Sequence, residues 1–552
     1  MNSYLETLNL NLAHDSAIAQ LRHEVLSAIP WEPTPTTNVS YVAANRLLII
    51  AGQTLTQELR ANLPDKILSY VAIPSDKSSV VLNADTYNCA GLVVSGYLGK
   101  FEVTIEGASS EGQKNNLAKL FEIETGLFDQ VIDCSDQALI SAAIKPPGYH
   151  YYDPSAKEYP VLDLVPDLIG EFEKPRYFDY NPNICAHGRS GIPGCTRCLD
   201  ACPTEAIISI GEAIEVNPHL CQGGGVCASS CPTGAINYVY PAAEEQIECL
   251  RVILKKLRER NQKRGITLLI FDNEHGRDHV MSCSTQLADD VIPYVVEEIG
   301  SVGLDILSAA LAYGANKVLL YVPENISGQV VSTVTENCSL IQSVLEQTLC
   351  RTHSVQIVHS LEPFYHGQND VTIENAATFS PVGGKRSTIR AALTFFSELS
   401  ANQSSVVSLP DSALFGQIHV NQEACTLCMG CVSVCPAGAL QAGGDTPALR
   451  FIEANCVQCG ICSQACPESA VTLEPRLHFD LNVVNQARTQ KEEVPFHCLD
   501  CGKPFATMAM IGRMTEKLKN HWMYAKPDAM RRLKLCEDCR VKDMFDKNDM
   551  IS

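Results

Sequence analysis

The sequence predicts an α+β protein built from several domains, and three observations support this prediction. The chain has 552 residues, which is too long for a single hydrophobic core. Two long regions alternate strand-like and helix-like segments, which favours α/β domains with parallel sheets. Most of the 25 cysteines stand at short, repeated spacings of the kind that bind metal, and these repeats mark further small domains.

The most specific pattern is a pair of cysteine runs near the C-terminus. Each run reads C-x2-C-x2-C-x3-C-P, the spacing by which bacterial ferredoxins bind iron–sulfur clusters. Three closely spaced thiolates bind one cluster, and the fourth thiolate binds the other cluster. This crossed arrangement predicts one [4Fe–4S] cluster on Cys425, Cys428, Cys431 and Cys466, and a second on Cys456, Cys459, Cys462 and Cys435.

A second pair of runs lies between residues 185 and 231. One run lacks its usual first cysteine, for which Cys185 is the substitute. All four runs of the chain end in Cys-Pro-x-x-Ala followed by an aliphatic residue, and this internal repeat predicts a second ferredoxin-like module. Crossed ligation then predicts a third [4Fe–4S] cluster, on Cys185, Cys195, Cys198 and Cys231.

The other centre of this module lacks one ligand. Gly224 occupies the place of the second cysteine, which leaves Cys202, Cys221 and Cys227. Three thiolates suit a [3Fe–4S] cluster, or a [4Fe–4S] cluster whose fourth iron is open to water or an exogenous ligand. Loss of the cluster is the third alternative. His187 is a candidate further ligand, although a histidine in a loop is more often solvated.

Two C-x2-C pairs predict a metal site in a small C-terminal domain. The pairs are Cys498 with Cys501, and Cys536 with Cys539. Four thiolates favour a tetrahedral zinc ion with a structural role, because no coordination position stays open. A rubredoxin-like iron is the alternative. The segment Thr507–Tyr524 between the pairs is predicted to be helical.

The two α/β regions show strand and helix periodicity. In the first, Arg46–Gly52 is predicted to be a buried strand, and Lys100–Glu106 a half-buried one because its apolar residues alternate. In the second, strands separated by helices favour a parallel sheet. Its predicted helices are Ile247–Arg260, Val302–Tyr313 and Gln329–Leu349, and its predicted strands are Ile266–Phe271, Lys317–Val322 and Ser354–His359.

Part of the second α/β region resembles the delta subunit of methyl-viologen-reducing hydrogenases. The matching residues are Gly303-Leu304-Asp305 and the stretch from Gly314 to Leu319. That family has paired cysteines for a [2Fe–2S] centre, whereas this chain has the single Cys283 nearby. The resemblance therefore implies a docking scaffold that lacks this cluster.

A further helix is predicted to end at Leu399. Its N-terminus follows a Gly383-Gly384 pair, but no glycine stands five positions before Gly384, so the segment is not a phosphate loop. We expect Ser387 or Thr388 to cap the helix, with anion binding at its N-terminus as the alternative. The predicted domains are 1–172 (α/β), 173–242 (first ferredoxin-like module), 243–375 (α/β), 376–410 (connecting helix), 411–480 (second module) and 481–552 (four-cysteine domain).

Composition narrows the function and the compartment. The net charge of −21 disfavours nucleic acid as a partner and suits docking on a basic patch of a redox protein. Cysteines in metal-binding spacings indicate a reducing interior, so we expect a cytoplasmic protein. The first residues lack the basic and apolar regions of a secretory signal, and no apolar stretch is long enough for membrane insertion.

One further resemblance suggests a physiological role. The stretch Glu173–Phe178, with Cys185-Ala186-His187 and Gly194–Cys198, resembles large 4Fe–4S proteins associated with bacterial formate dehydrogenases. These relatives usually have a cysteine where Gly224 stands. The resemblance implies a non-catalytic component that carries single electrons between a cytoplasmic redox enzyme, such as formate dehydrogenase, and an acceptor. The alternative is an accessory or maturation factor for a metalloenzyme, with clusters and zinc in a structural role.

Overall fold

The fold is taken from a computed structural model. It describes residue 12 and residues 16–28, 34–75, 79–106, 114–153, 161–260, 265–362, 375–400, 405–444, 446–524 and 527–546. The prediction that no secretory signal is present concerns residues that lie mostly outside these ranges. Among the described residues, no helix is long and apolar enough to cross a membrane.

The first α/β region is centred on a six-stranded sheet. Its strands, in spatial order, are Tyr149–Tyr151, Gln130–Asp133, Arg46–Ile50, Leu68–Pro74, Thr86–Cys89 and Val80–Asn83. All neighbours pair parallel except the last two, which are antiparallel. The predicted strand Lys100–Glu106 is confirmed, and it forms an antiparallel sheet with Val93–Tyr97 and Lys114–Asn116. The helices are Gln53–Ala61, Leu117–Leu120 and Val161–Leu164.

The first described helix, Ala17–Ser27, packs outside this sheet. It lies against the helix Ala243–Arg260 of the second α/β region and contributes to that region's core. Buried Arg22 donates hydrogen bonds to the carbonyl oxygens of Ala288 and Val291, at 2.8 and 2.9 Å. A nearby antiparallel pair joins Asn38–Ala43 to Gly170–Pro175. The helix Ala17–Ser27 thus packs on the second α/β region, although it precedes the first one in the sequence.

The second α/β region contains the predicted parallel sheet. The strands, in spatial order, are Val291–Val296, Thr267–Asp272, Lys317–Tyr321 and Val355–Val358, and every pair is parallel. The strands Thr267–Asp272 and Val291–Val296 are buried along their whole length, as expected for a sheet covered by helices. The helices are Ala243–Arg260, Arg277–Cys283, Leu304–Ala312 and Gly328–Leu349.

The connecting helix spans Lys385–Leu399 and packs on Leu304–Ala312. Its N-cap is Gly384, which makes no side-chain capping hydrogen bond, so the predicted cap by Ser387 or Thr388 is wrong. Both residues lie inside the first turn, because the helix begins immediately after the glycine pair. This start places Lys385 at the first helical position.

Both cysteine-rich modules contain an outer and an inner antiparallel strand pair. In the first module the pairs are Phe178–Tyr180 with Ile236–Tyr238, and Ile207–Ile210 with Ala213–Val216. In the second they are Gly416–Val420 with Val471–His478, and Leu440–Ala442 with Ala448–Phe451. Short helices follow the cysteine loops, at Arg197–Ala201, Val226–Ser230, Gly430–Ser433 and Ile461–Gln464.

The remaining elements surround the second module and continue to the C-terminus. The predicted helical segment between the last cysteine pairs is confirmed for Met508–Leu518, which Thr507 caps through its hydroxyl. The strands are Val406–Ser408, Arg488–Glu492, Pro495–His497 and Pro504–Thr507. The other helices are Leu481–Asn485, Pro527–Arg532 and Glu537–Asp546.

Candidate iron–sulfur and metal sites

The four Cys-Pro repeats have the same backbone conformation. The third residue after each terminal cysteine has a positive φ, and the values lie between 48 and 75°. These residues are Glu205, Gly234, Gly438 and Ser469. The sequence repeat is therefore also a structural repeat, with one common turn beside each cysteine loop.

The second module brings its eight cysteines together in two sets. Burial, followed by the charges of Cys428, Cys425 and Cys466, raises the pKa of the Cys431 thiol to about 12. Burial raises the pKa of Cys462 as well, and its principal thiol neighbours are Cys456, Cys459 and Cys435. A set of buried thiols whose charges oppose one another fits a cluster, because bound iron neutralises thiolate charge. The ligand sets themselves stay a prediction.

Two cysteine sulfurs of the second module also accept hydrogen bonds from backbone amides. The amides of Ala439 and Ala470 donate to the sulfurs of Cys435 and Cys466, at 3.3 and 3.2 Å. Both donors are backbone amides of the alanine that the four Cys-Pro-x-x-Ala repeats share. Hydrogen bonds to cluster sulfurs are one determinant of reduction potential. The repeat thus positions a donor as well as a ligand.

The first module brings Cys185, Cys195 and Cys231 around Cys198. Burial, followed by the charges of these three thiols, raises the pKa of Cys198. These are the four cysteines that crossed ligation groups together.

The structure corrects the expected environment of His187. This side chain is 5 % exposed, so the expectation of a solvated histidine is wrong. Its Nδ1 lies 3.0 Å from the carbonyl oxygen of Cys195, and its Nε2 lies 2.7 Å from the hydroxyl of Ser209. Both ring nitrogens are engaged, so His187 positions the Cys195 loop in this structure and has no free nitrogen for a metal.

The centre with three cysteines retains the backbone of a complete cluster loop. Gly223 and Gly225 have φ values of 85 and 74°. Their counterparts in the second module, Gln458 and Gly460, have values of 54 and 81°. Gly224 takes the place of a ligand, and a Cβ atom there would meet nothing within 4 Å. The loop has therefore not collapsed around the missing ligand.

The thiols of this centre are close neighbours. Burial, followed by the charges of Cys221 and Cys202, raises the pKa of the Cys227 thiol well above its ordinary value. The three cysteines also line a cavity of about 450 Å³. By contrast, the cavity beside the complete set that contains Cys459 measures about 20 Å³ and is lined by its own module. The centre with Gly224 thus faces more space than a complete centre does.

The two modules meet directly at their cysteine loops. A Cβ atom on Gly194 would lie 2.5 Å from Cγ1 of Ile461, so the isoleucine packs tightly on the glycine backbone. Gly194 immediately precedes Cys195, and Ile461 immediately precedes Cys462. One cysteine loop from each module therefore forms the contact.

The four predicted ligand sets lie in a series. Neighbouring sets in this series each contribute one thiol to a pair that lies close enough to interact electrostatically. The linked pairs are Cys227 with Cys198, Cys195 with Cys459, and Cys462 with Cys431. The centre with Gly224 stands at one end, and the centre of Cys425 stands at the other.

Arg386 joins the modules at the same place. Its guanidinium donates to the carbonyl oxygens of Pro232 in the first module, at 3.0 Å, and Cys456 in the second, at 2.9 Å. It also donates to Leu414 and Ala454. Burial, and then the neighbouring Arg390, lower the pKa of Arg386, although a guanidinium stays protonated at neutral pH.

Lys385 and Arg386 contact the backbone beside the cysteine loops, and the sequence analysis did not identify them. Lys385 donates to the carbonyl oxygens of Ala228 and Ser229, each at 2.7 Å, beside the loop of Cys231. A signal was present in the sequence, because cations are disfavoured at the N-terminus of a helix by its dipole. Two adjacent cations at that position indicate partners elsewhere in the fold.

The last four cysteines converge on one point. The sulfurs of Cys498, Cys501, Cys536 and Cys539 all lie within 4.8 Å of one another. The sulfurs of Cys501 and Cys536 are 3.6 Å apart. A tetrahedral zinc ion with Zn–S bonds of about 2.3 Å requires a separation of about 3.8 Å. The arrangement therefore fits a single metal ion.

The pKa values of this site differ between its cysteines. Burial opposes ionisation of Cys498, but the backbone amides of Cys501, Cys536 and Asp500 lower its pKa to about 6. The amide of Cys536 lies 3.3 Å from the Cys498 sulfur. A hydrogen bond with Cys501, and then burial, raise the pKa of Cys539 to about 12. The site is attached to the second module, since Thr507 donates to the carbonyl oxygen of Thr426.

Comparison with protein families supports the cluster motifs. Residues 424–471 match a family described as "4Fe-4S dicluster domain", and residues 214–237 match one described as "4Fe-4S binding domain". The chain contains 4Fe–4S ferredoxin-type domains. The second match includes the loop with Gly224.

Comparison with curated proteins gives partial matches. The chain is 33% identical over 93 residues to the ferredoxin-type protein NapF of Escherichia coli strain K12, covering 16% of this chain and 56% of that protein. It is 39% identical over 56 residues to hydrogenase-4 component A of the same strain, covering 10% of this chain and 25% of that protein. The chain thus spans about half of the first relative's length and a quarter of the second's.

Proposed function

We propose that this chain carries single electrons through a series of iron–sulfur centres between a redox enzyme and an acceptor. Three centres hold [4Fe–4S] clusters, on the cysteine sets that crossed ligation groups together. The fourth, beside Gly224, holds a [3Fe–4S] cluster or a [4Fe–4S] cluster with an open position. Such clusters supply one-electron chemistry when bound.

The contact between the two modules is the observation that carries this proposal. Ile461 packs on Gly194, and each residue lies next to a predicted cluster ligand. An electron that enters one module therefore has a neighbouring centre in the other. The similarity to ferredoxin-type proteins supports the same role. Arg386 adds rigidity, because its hydrogen bonds span both modules.

A dehydrogenase is the proposed electron donor, and formate dehydrogenase is the first candidate. The anaerobically purified chain is mixed with catalytic amounts of the dehydrogenase and its substrate. Reduction of the clusters is followed by absorbance and electron paramagnetic resonance. We expect reduction when enzyme and substrate are both present, and none with either alone. Clusters that dithionite itself does not reduce would overturn the electron-transfer proposal.

The four-cysteine site at the C-terminus is proposed to bind structural zinc. Its attachment to the second module through Thr507 suits a role in stabilising that module or in holding a partner. Deletion of the gene distinguishes electron transfer from a maturation role. An electron carrier leaves the dye-linked activity of the partner enzyme intact, whereas a maturation factor leaves that enzyme inactive even with dyes.

A further inference from the structure

The cavity beside Gly224 lies where parallel sheets bind ligands. It is lined by residues that follow three strands of the second α/β region: His275 after Thr267–Asp272, Glu298 after Val291–Val296, and Asn325 after Lys317–Tyr321. Ligands of open parallel sheets bind at the carboxyl ends of the strands. One wall of the cavity is therefore a sheet edge suited to binding, and the opposite wall is the cysteine loop.

The loop wall presents an incomplete set of ligands to this cavity. Cys202, Cys221 and Cys227 line it, together with Gly224. In a complete loop, the cysteine at the position of Gly224 would hold the fourth iron. At Gly224 a Cβ atom would meet nothing within 4 Å, so the space that this side chain would occupy is open. The coordination position that the chain does not fill thus faces a cavity of about 450 Å³.

The charges around the cavity favour a cation. Glu274 and Glu298 line it, and buried Asp272 lies at the same strand end. Burial, and then the charges of Asp272, Glu274 and Glu297, raise the pKa of Glu298 to about 8. A cation beside this carboxyl would lower its pKa and favour the ionised form.

Features of opposite sign also lie near the cavity. Lys145 lines it, but its ammonium donates to the carbonyl oxygens of Ile140 and Ala142, at 2.6 and 2.8 Å. Lys174 donates to the carbonyl oxygen of Cys221, at 2.6 Å. The helix that begins at Gly328 contributes about half a positive charge at its N-terminus. Both ammonium groups are occupied by backbone carbonyls, whereas Glu274 and Glu298 line the cavity.

The side chains on the sheet wall match the preferences of ferrous iron. Imidazole and carboxylate groups bind iron, and His275 lines the cavity beside Glu274 and Glu298. The Nδ1 of His275 is buried and lies 3.7 Å from a carboxylate oxygen of Asp272. The cavity also admits a hydrated ion, because six waters occupy about 180 Å³ at roughly 30 Å³ each.

We propose that the three-cysteine centre holds one exchangeable ferrous ion, which enters and leaves through the cavity lined by Glu274, His275 and Glu298. The proposal rests on the proposed loading of this centre. An oxidised three-iron core, of charge +1, would accept one electron and become neutral. Its combination with one Fe²⁺ would then give a four-iron core of charge +2, so atoms and charge balance. The neighbouring centre of Cys198, or dithionite in the test tube, supplies that electron. The supply of iron thereby decides whether the centre beside Gly224 holds three or four irons.

Iron exchange is tested on the full-length chain after anaerobic reconstitution. Treatment with a chelator and mild oxidant is expected to remove one iron from this centre and to produce the paramagnetic signal of an oxidised three-iron core. Addition of ⁵⁷Fe²⁺ with dithionite is then expected to abolish the signal, and Mössbauer spectroscopy should find one ⁵⁷Fe per chain. The readout is spectroscopic and requires no partner enzyme.

Two substitutions at one position give a matched comparison. Gly224→Cys adds the missing thiolate where space exists, so it should prevent both removal and uptake of iron. Gly224→Ala adds a methyl group without a ligand and should exchange iron as the wild type does. On the sheet wall, Glu274→Gln removes an exposed carboxylate that lines the cavity and should slow iron uptake roughly tenfold, at the low end of the effect of charged clefts on association rates. Glu297→Gln is its control, since Glu297 does not line the cavity.

Four results would overturn the proposal. They are a wild-type centre that keeps four irons under the chelator, equal exchange in the Gly224→Cys variant, a three-iron core that takes up no added iron, and a centre that binds no iron at all. In each case the other three clusters still report electron transfer through their reduction by dithionite, so failure of this inference is distinguishable from failure of the proposed function.

Discussion

Arg386 is predicted to raise the reduction potentials of the two clusters at the module contact. Its guanidinium donates hydrogen bonds to the carbonyl oxygens of Cys456, at 2.9 Å, and of Pro232, at 3.0 Å. Pro232 immediately follows Cys231 in the chain. Reduction adds negative charge to a cluster, so a nearby cation stabilises the reduced form. Arg386→Gln removes this charge, and we expect both midpoint potentials to fall.

The size of the effect follows from the charge and its distance. At an effective dielectric constant of 20, unit charges about 8 Å apart interact by about 2 kcal/mol. This separation is our estimate for a guanidinium that contacts the backbone of a cluster ligand. Because 1.4 kcal/mol corresponds to about 59 mV in a one-electron couple, the shift should reach up to about 90 mV.

The assay is a redox titration followed by paramagnetic resonance on the reconstituted full-length chain. Arg386→Lys is the matched control, because it retains the charge but cannot make the four carbonyl contacts of the guanidinium. Its potentials should stay close to those of the wild type. Equal shifts in the Gln and Lys variants would refute the electrostatic argument and assign the effect to packing. Unchanged potentials in both variants would also refute it.

Three further predictions concern metal binding and packing. Cys536→Ser should release the metal of the four-cysteine site, measured by elemental analysis; iron in place of zinc in the wild type would contradict the zinc assignment. Ile461→Ala, which removes the contact with Gly194, should lower the free energy of unfolding by about 2–5 kcal/mol and slow electron transfer between modules after flash photoreduction. Unchanged transfer would argue against this contact as the route. Glu453 is 3 % exposed and pairs with Arg476 at 2.8 Å, so Glu453→Gln should cost roughly 3–5 kcal/mol in denaturant unfolding, and a negligible loss would contradict a buried ion pair.

Much of the fold could be predicted because its signals are local. The apolar alternation of Lys100–Glu106 and the strand–helix alternation after residue 243 reflect which faces of each element are buried, and the structure confirms both. The cap of the connecting helix was predicted wrongly. Capping preference competes with the conformational freedom of Gly384, which ends the preceding turn and starts the helix before Ser387.

The environment of His187 shows a second limit of local reasoning. Its position in a loop indicates solvent exposure, but Ser209 and the Cys195 carbonyl enclose both ring nitrogens. These partners are 22 and 8 residues away in the chain. Burial of a loop residue depends on which strand packs against it, and the residues of the loop do not predict which strand this is.

The sequence by itself determined that the chain contains 4Fe–4S ferredoxin-type domains, because the spacing of cysteines on a short loop decides which thiolates can reach a common metal. The ligand sets, and the missing ligand at Gly224, stay predictions from that spacing. The tertiary structure alone decided how the centres are connected. The contact of Gly194 with Ile461, the hydrogen bonds of Arg386 and the acidic cavity opposite Gly224 join residues that are far apart in the chain. Such proximity arises from the packing of whole domains, which local residue patterns do not encode.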